Sequence, residues 1–170
     1  MNYFAAVEQS LIRKLNNIRA VVTDVDGVLT NGAVYYSPQG ELMKRFNIRD
    51  GMGFERLRLA GYSVVVVTGE DSEIVHRRME KLQIVDYFPG IKDKYSLLKE
   101  WCQKRGLNGF ELAYLGDDVN DIKAMEICGL RACPADAFNQ IRAIADYICH
   151  RAGGQGAFRE FAELILQYRK

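Results

Sequence analysis

Length and composition point to an ordinary globular enzyme or binding protein. With 170 residues, of which 48% are hydrophobic and 26% charged, the chain can bury a core and is expected to form one domain over residues 1–170. A formal net charge of +1 gives no electrostatic reason to expect nucleic acid or an anionic membrane as a partner. No apolar run is long enough to span a membrane, and early charges argue against a signal peptide. Four scattered cysteines without a CxxC pair favour reduced thiols and a cytoplasmic location.

The first third of the chain contains a helix, a buried strand and a hairpin. Apolar residues at helical spacing predict an amphipathic helix over residues 3–15. An apolar run then leads into the acidic turn Asp-Val-Asp-Gly at residues 24–27. Runs of β-forming residues on both sides of a Ser-Pro-Gln-Gly sequence predict a hairpin at about residues 31–47. A helix over residues 54–60 is expected to follow.

Strands alternate with helices through the remainder of the chain. A buried strand is predicted at residues 62–67 and further strands at residues 84–88, 111–115, 130–133 and 146–149, with helices between most of them. A Gly-rich tail and an amphipathic helix fill about residues 151–170. This alternation predicts an α/β fold, in which a Rossmann-like parallel sheet carries helices on both faces and the hairpin is a small insertion.

Polar side chains stand at or just after the carboxyl ends of the predicted strands, where such sheets bind ligands. They are Asp24, Asp26, Thr68, Lys94, Asp117 and Asp121. Each has an ordinary explanation as a turn former, a helix cap or a surface lysine. Their convergence on one edge of the sheet favours a shared site instead. The acidic members would repel one another unless a cation joined them, which predicts Mg²⁺.

These residue types suit the hydrolysis of a phosphate ester. Lys94, the Thr68 hydroxyl and backbone N–H groups near Gly69 would neutralise phosphate oxygens. One aspartate of the acidic turn could attack phosphorus, and the other could exchange protons with the leaving group and water. Two competing motifs are absent, since an EF-hand loop starting at Asp24 would need a glutamate where Tyr35 stands, and the chain contains no GxxxxGK[ST] sequence.

The set DVDGVLT, TGE, Lys94 and GDDVND resembles the haloacid dehalogenase (HAD) superfamily of phosphatases, from about residue 19 to residue 149. The resemblance implies that Asp24 is the nucleophile and Asp26 the general acid and base. It further implies that the phosphoryl group is bound by Thr68, Gly69 and Lys94. The metal ligands that it implies are Asp24, the backbone carbonyl of Asp26, and Asp117, with Asp121 in support.

The spaces between these motifs hold no cap domain, so the site is expected to be open. The hairpin sequence VDGVLTNGAVYYSPQGELMKRFNIRDGMG and the tail GGQGAFREF resemble the tetrameric phosphatases of sugar-acid biosynthesis. This resemblance implies a small-molecule sugar-acid phosphate substrate. It also implies a homotetramer in which the hairpins meet and the Gly-rich tail helps to close a neighbouring site. A flexible terminus is the alternative for the tail, although the apolar helix that follows favours a docked segment.

The substrate is predicted from a departure at residue 70. Phosphatases acting on 3-deoxy-manno-octulosonate (KDO) 8-phosphate usually carry arginine after the Thr/Ser-Gly pair, whereas this chain has Glu70. Glu70 with Arg78 and Lys81 resembles the branch acting on nine-carbon acids, such as 2-keto-3-deoxynononate (KDN) 9-phosphate and N-acetylneuraminate 9-phosphate. The nine-carbon substrate is therefore favoured, with KDO 8-phosphate as the alternative and a regulatory domain of a CMP-sugar-acid synthetase as a third hypothesis. Thr30 completes the predicted substrate-binding set.

Overall fold

The computed structural model describes residues 8–169, which contain eight strands and seven α-helices. The strands are β1 (Ala20–Thr23), β2 (Thr30–Ser37), β3 (Gly40–Phe46), β4 (Ser63–Val67), β5 (Asp86–Phe88), β6 (Leu112–Leu115), β7 (Leu130–Cys133) and β8 (Tyr147–Ile148). The helices are α1 (Gln9–Leu15), α2 (Ile48–Leu59), α3 (Glu73–Lys81), α4 (Lys94–Arg105), α5 (Ile122–Glu126), α6 (Asn139–Ile144) and α7 (Ala157–Gln167).

Six strands form one parallel sheet in the order β5-β4-β1-β6-β7-β8. Strands β4 and β5 lie on one side of β1, and β6, β7 and β8 lie on the other side. β1 therefore lies at the point where the strand order reverses, and its carboxyl end opens into the crevice where doubly wound sheets bind ligands. The predicted Rossmann-like fold is confirmed, and the acidic turn leaves the sheet at this crevice.

Alternate residues of the strands pack into two separate hydrophobic cores, one on each face of the sheet. On one face, Val21 of β1 packs with residues of α2, α3 and α7. On the other face, Ala20 and Val22 pack with residues of α4, α5 and α6. Because successive side chains of a strand point to opposite faces, a continuous apolar run is what a strand covered on both sides requires.

Helix α2 begins earlier than the sequence predicts. The predicted start was residue 54, whereas the helix starts at Ile48 because the Asn47 side chain accepts a hydrogen bond of 3.0 Å from the Arg49 N–H and caps it. Gly53, expected before the helix, lies inside it and allows close packing, since a Cβ there would come within 3.2 Å of the Phe158 ring. Of the predicted first helix, residues 3–7 lie outside the described residues.

The hairpin and the tail both appear. β2 and β3 pair antiparallel and form a two-stranded sheet of their own, as predicted. The tail is docked, because the rings of Phe54 and Phe158 stack at 4.1 Å and the Gly154 N–H donates to the Val28 carbonyl at 2.9 Å.

None of the helices in residues 8–169 is both long and apolar enough to cross a membrane. The organisation of residues 1–170 as one domain stays a prediction.

Candidate active site

The acidic turn after β1 is shaped by close contacts around Asp24 and Gly27. Asp24 is 4% exposed, and its Oδ1 accepts a hydrogen bond of 2.7 Å from the Val25 N–H. Gly27 has a φ of +82°, and a Cβ at this position would lie 1.9 Å from Oδ2 of Asp117. Glycine is therefore required both by the backbone conformation and by the approach of the Asp117 carboxylate.

Lys94 is the cation that lies among the carboxylates. It is the first residue of α4, whose N-terminus is capped by Asp93, and its side chain is 1% exposed. Its Nζ lies 2.7 Å from Oδ2 of Asp24 and 2.7 Å from Oδ1 of Asp121. Burial alone would lower the pKa of Lys94, but the charges of these two aspartates raise it above its ordinary value. The lysine therefore stays charged and fixes both carboxylates.

Asp24, Asp117 and Asp121 form an acidic cluster, each offering one oxygen within 4.8 Å of the others. Burial, followed by the charge of Asp121, raises the pKa of Asp24 to about 7. Burial, followed by the charges of Asp24 and Asp121, raises the pKa of Asp117 to about 8. Oδ1 of Asp117 is buried and has no hydrogen-bond partner among residues 8–169. Crowded carboxylates with an unsatisfied oxygen fit a hard divalent cation, which would supply the missing positive charge.

Asp121 is held from two further sides. The hydroxyl of Tyr114, on β6, donates to Oδ1 of Asp121 at 2.7 Å. The N–H of Asp117 donates to Oδ2 of Asp121 at 3.0 Å. With Lys94 on the same Oδ1, the Asp121 carboxylate is fully engaged by protein groups. These contacts fix Asp121 against Lys94 and against the backbone at Asp117, and its supporting role at the metal stays a prediction.

A cavity of about 340 Å³ opens above the acidic cluster at the carboxyl ends of β1, β4 and β6. The predicted site residues that line it are Asp24, Asp26, Thr68, Gly69, Glu70 and Asp117. Lys94 and Asp121 lie directly behind them, since both contact Asp24 or Asp117. The structure thus brings together the predicted catalytic, phosphate-binding and metal-binding residues.

Two lysines near this cavity were missed by the sequence analysis. Lys92 lines the cavity, and its Nζ lies 2.7 Å from the Gly69 carbonyl and 3.4 Å from Oε1 of Glu70. Lys44, on β3, contacts the carboxylate of Asp26. Burial alone would lower the pKa of Lys44, but Asp26 and a second carboxylate raise it. Lys92 lies two residues before Lys94, which is predicted to bind phosphate, and this proximity was a usable signal, whereas Lys44 carried none.

The predicted substrate-binding residues do not all reach the cavity. Glu70 lies at its wall. Thr30 is fully buried, and its hydroxyl accepts hydrogen bonds from the Gly27 and Gly32 N–H groups, so it organises the turn from behind.

Arg78 and Lys81 are placed on α3, away from the acidic cluster. The Nη2 of Arg78 donates to the Asn47 carbonyl at 3.3 Å, and its guanidinium lies 5.6 Å from the centre of the Phe46 ring. Lys81 is exposed at the last position of α3. Neither side chain lines the cavity of its own chain. Arg78 thus contacts the end of the hairpin, whereas Lys81 stays exposed.

Comparison with known proteins identifies the family. Residues 81–159 match the model of the haloacid dehalogenase-like hydrolases. The 3-deoxy-D-manno-octulosonate 8-phosphate phosphatase of Haemophilus influenzae is 40% identical over 155 residues, which cover 91% of this chain and 86% of that protein. The cobalt-bound structure of the deoxy-D-mannose-octulosonate 8-phosphate phosphatase from the same organism superposes with a TM-score of 0.88, at 40% identity, over 91% of both chains.

A further crystal structure, of the same phosphatase from Moraxella catarrhalis in complex with magnesium, phosphate and KDO, matches with a TM-score of 0.92. It is 34% identical and covers 96% of this chain and 94% of that one. The chain belongs to the haloacid dehalogenase-like hydrolases. Within that family it is a phosphatase.

Proposed function

We propose that the chain is a Mg²⁺-dependent phosphatase that hydrolyses KDO 8-phosphate. The main support is that proteins named KDO 8-phosphate phosphatase match it over 91% or more of its length. The comparisons support this eight-carbon substrate better than the nine-carbon substrate that Glu70, Arg78 and Lys81 predict. Of those three residues, Glu70 alone lines the cavity of its own chain.

Asp24 is the proposed nucleophile. Its Oδ2 is held by Lys94 and its Oδ1 by the Val25 N–H, so the carboxylate is fixed at the floor of the cavity. Attack on phosphorus forms a bond from an Asp24 oxygen to phosphorus and breaks the bond to the sugar oxygen. Thr68, the backbone near Gly69 and Lys94 surround the position of the phosphoryl oxygens and stabilise the charge that develops there.

The acidic cluster is the proposed magnesium site. Asp24 and Asp117 of the cluster would hold the ion together with the backbone carbonyl of Asp26, the third ligand that the family resemblance implies, and Asp121 would support them from behind. When bound, Mg²⁺ supplies positive charge that offsets the repulsion between the carboxylates and the phosphate. In the protein, the unsatisfied Oδ1 of Asp117 and the raised pKa values of Asp24 and Asp117 favour this assignment.

Asp26 is the proposed proton carrier. It lines the cavity two residues after Asp24, so its carboxyl can give a proton to the departing sugar oxygen. In the second step it takes a proton from a water molecule, which attacks the aspartyl-phosphate and releases inorganic phosphate. The two carboxylates of the turn therefore have separate tasks, with Asp24 on phosphorus and Asp26 on the proton.

A homotetramer with sites completed by neighbouring subunits remains part of the proposal. The hairpin exposes large hydrophobic side chains, including Tyr36 at 74% and Leu42 at 57%, which favours a partner on this surface. Such an arrangement would also give Arg78 and Lys81 a role at another subunit's cavity. The four cysteines are buried and unpaired, which supports the predicted cytoplasmic location.

The direct test compares kcat/KM for KDO 8-phosphate and KDN 9-phosphate with Mg²⁺ present. We expect the eight-carbon ester to be preferred, and Glu70→Arg to change the ratio of the two values more than it changes phosphate release from p-nitrophenyl phosphate. A clear preference for the nine-carbon ester would overturn the substrate assignment and restore the prediction from Glu70. Light scattering tests the tetramer, and a fully active monomer would contradict it.

A further inference from the structure

Lys44 has no task in the proposed mechanism, yet its side chain is 1% exposed at the edge of the active site. It comes from β3 of the hairpin, outside the main sheet. A buried ammonium group is costly unless hydrogen-bond acceptors surround it. Its acceptors are therefore the first indication of its function.

The main partner of Lys44 is the carboxylate of Asp26. Its Nζ donates to Oδ1 at 2.9 Å and to Oδ2 at 2.8 Å. A contact to both oxygens fixes the rotation of the carboxylate as well as its position. The only other side-chain donor recorded for Asp26 within the described residues is the Thr30 hydroxyl, at 3.3 Å from Oδ1. Lys44 is thus the principal group that orients Asp26.

Lys44 is itself braced against the body of the protein. Its Nζ lies 3.2 Å from Oε1 of Glu41, and the hydroxyl of Ser72 donates to Oε2 of Glu41. Ser72 caps the N-terminus of α3, the helix that follows the loop with the proposed phosphate-binding residues Thr68 and Gly69. A continuous series of contacts therefore connects that loop, through the hairpin, to Asp26.

We propose that Lys44, braced by Glu41 and Ser72, is a positioning residue that holds the Asp26 carboxylate where it exchanges a proton with the leaving oxygen of the substrate. Lys44 neither contacts the substrate nor carries the proton. The inference rests on the proposed role of Asp26 as proton carrier. Because a misplacement of about 1 Å can cost about 100-fold in rate, loss of Lys44 slows the step that needs the proton.

The test uses two esters with different leaving groups. The sugar alkoxide of KDO 8-phosphate must be protonated as it leaves, whereas the phenolate of p-nitrophenyl phosphate departs without a proton. The constant kcat/KM reports only the steps up to release of the leaving group. We expect Lys44→Met to lower kcat/KM by about 10- to 100-fold for KDO 8-phosphate and by less than about threefold for p-nitrophenyl phosphate.

Three variants accompany Lys44→Met. Lys44→Arg keeps the charge and the paired donors and is expected to retain most of the activity on KDO 8-phosphate. Glu41→Gln removes the brace and is expected to give a smaller loss with the same dependence on the leaving group. Lys104→Met makes the same chemical change at an exposed lysine on α4 and is expected to alter neither constant. Circular dichroism checks folding, which should survive because Asp26 and Glu41 both reach solvent.

The outcomes separate this inference from the proposed function. An equal loss on both esters, or no loss on either, would overturn the role of Lys44. If Lys44→Met does not fold, Glu41→Gln decides by the same comparison. Asp26→Asn should show the strong dependence on the leaving group in any case. If it does not, the proton-carrier role of Asp26 fails. If Asp26→Asn shows this dependence but Lys44→Met lowers kcat/KM equally for both esters, only the positioning role of Lys44 fails.

Discussion

Replacing Asp117 by asparagine is expected to stabilise the metal-free protein while it abolishes metal-dependent activity. Asp117 shares the acidic cluster with Asp24 and Asp121, and its Oδ1 is buried without a partner. Burial and the two neighbouring charges raise its pKa from 3.8 to about 8. Asparagine keeps the shape of the side chain and removes the charge that the folded protein accommodates poorly.

The magnitude follows from proton linkage. A carboxyl with a pKa of about 8 in the folded protein and 3.8 in the unfolded chain binds more protons when folded, so stability falls as the pH rises from about 4 to about 8. At about 1.4 kcal/mol per pH unit, the full loss is on the order of 5 kcal/mol. The buried amide keeps part of the desolvation cost, so we expect a gain of about 2–4 kcal/mol at pH 8.

Thermal unfolding in EDTA measures this gain. For a chain of this size we expect the Tm of Asp117→Asn to exceed that of the wild type by roughly 5–15 °C at pH 8, and by much less at pH 5. Mg²⁺ at 100 times its Kd should stabilise the wild type by about 2.7 kcal/mol and the variant far less. Asp71→Asn makes the same change at an exposed carboxylate outside the cluster and is the control. An unchanged or lower Tm at pH 8, or an equal gain at pH 5, would refute the electrostatic account.

Three further substitutions test the architecture around the cluster. Lys94→Met leaves the Asp24 and Asp121 carboxylates without their cation, so kcat should fall at least about 100-fold, and guanidinium unfolding should show a loss of about 3–5 kcal/mol at pH 8. Gly153→Ala would place a Cβ 1.9 Å from the Gly27 carbonyl, so kcat and Tm should both fall. The control is Gln155→Ala, which changes an exposed residue of the same segment and should leave kcat and Tm unchanged. Phe158→Ala removes the stacked ring that docks the tail and should cost about 3–5 kcal/mol in thermal unfolding.

The main sheet and the central residues of the site could be predicted from the sequence because their signals are local. Val21 and Val22 lie in a short apolar run, and the acidic turn follows directly. In a parallel sheet the carboxyl ends of all strands lie at one edge, so no further information is needed to predict which residues meet there. This geometry places Thr68 and Asp117 beside Asp24, and the structure confirms that they line one cavity.

The remaining features depend on contacts between distant residues. Lys44 reaches Asp26 only because the hairpin folds back over the turn, and a lysine between Met43 and Arg45 in a strand carries no sign of burial. The start of α2 is predicted too late because Gly51 and Gly53 indicate a loop, whereas the Asn47 side chain caps a helix that includes both glycines. The spacing of Arg78 and Lys81 predicts a shared helix face but carries no information on the contact of Arg78 with Asn47.

The proposed mechanism requires that Asp24 carries the phosphoryl group between its two steps. The enzyme should be mixed with KDO 8-phosphate and Mg²⁺, quenched in acid within the first turnover, and its peptides analysed by mass spectrometry. We predict one phosphoryl group on the peptide that contains Asp24, and neither this modification nor phosphate release in Asp24→Asn. Turnover by Asp24→Asn near the wild-type rate, or a phosphoryl group on another residue, would contradict the mechanism.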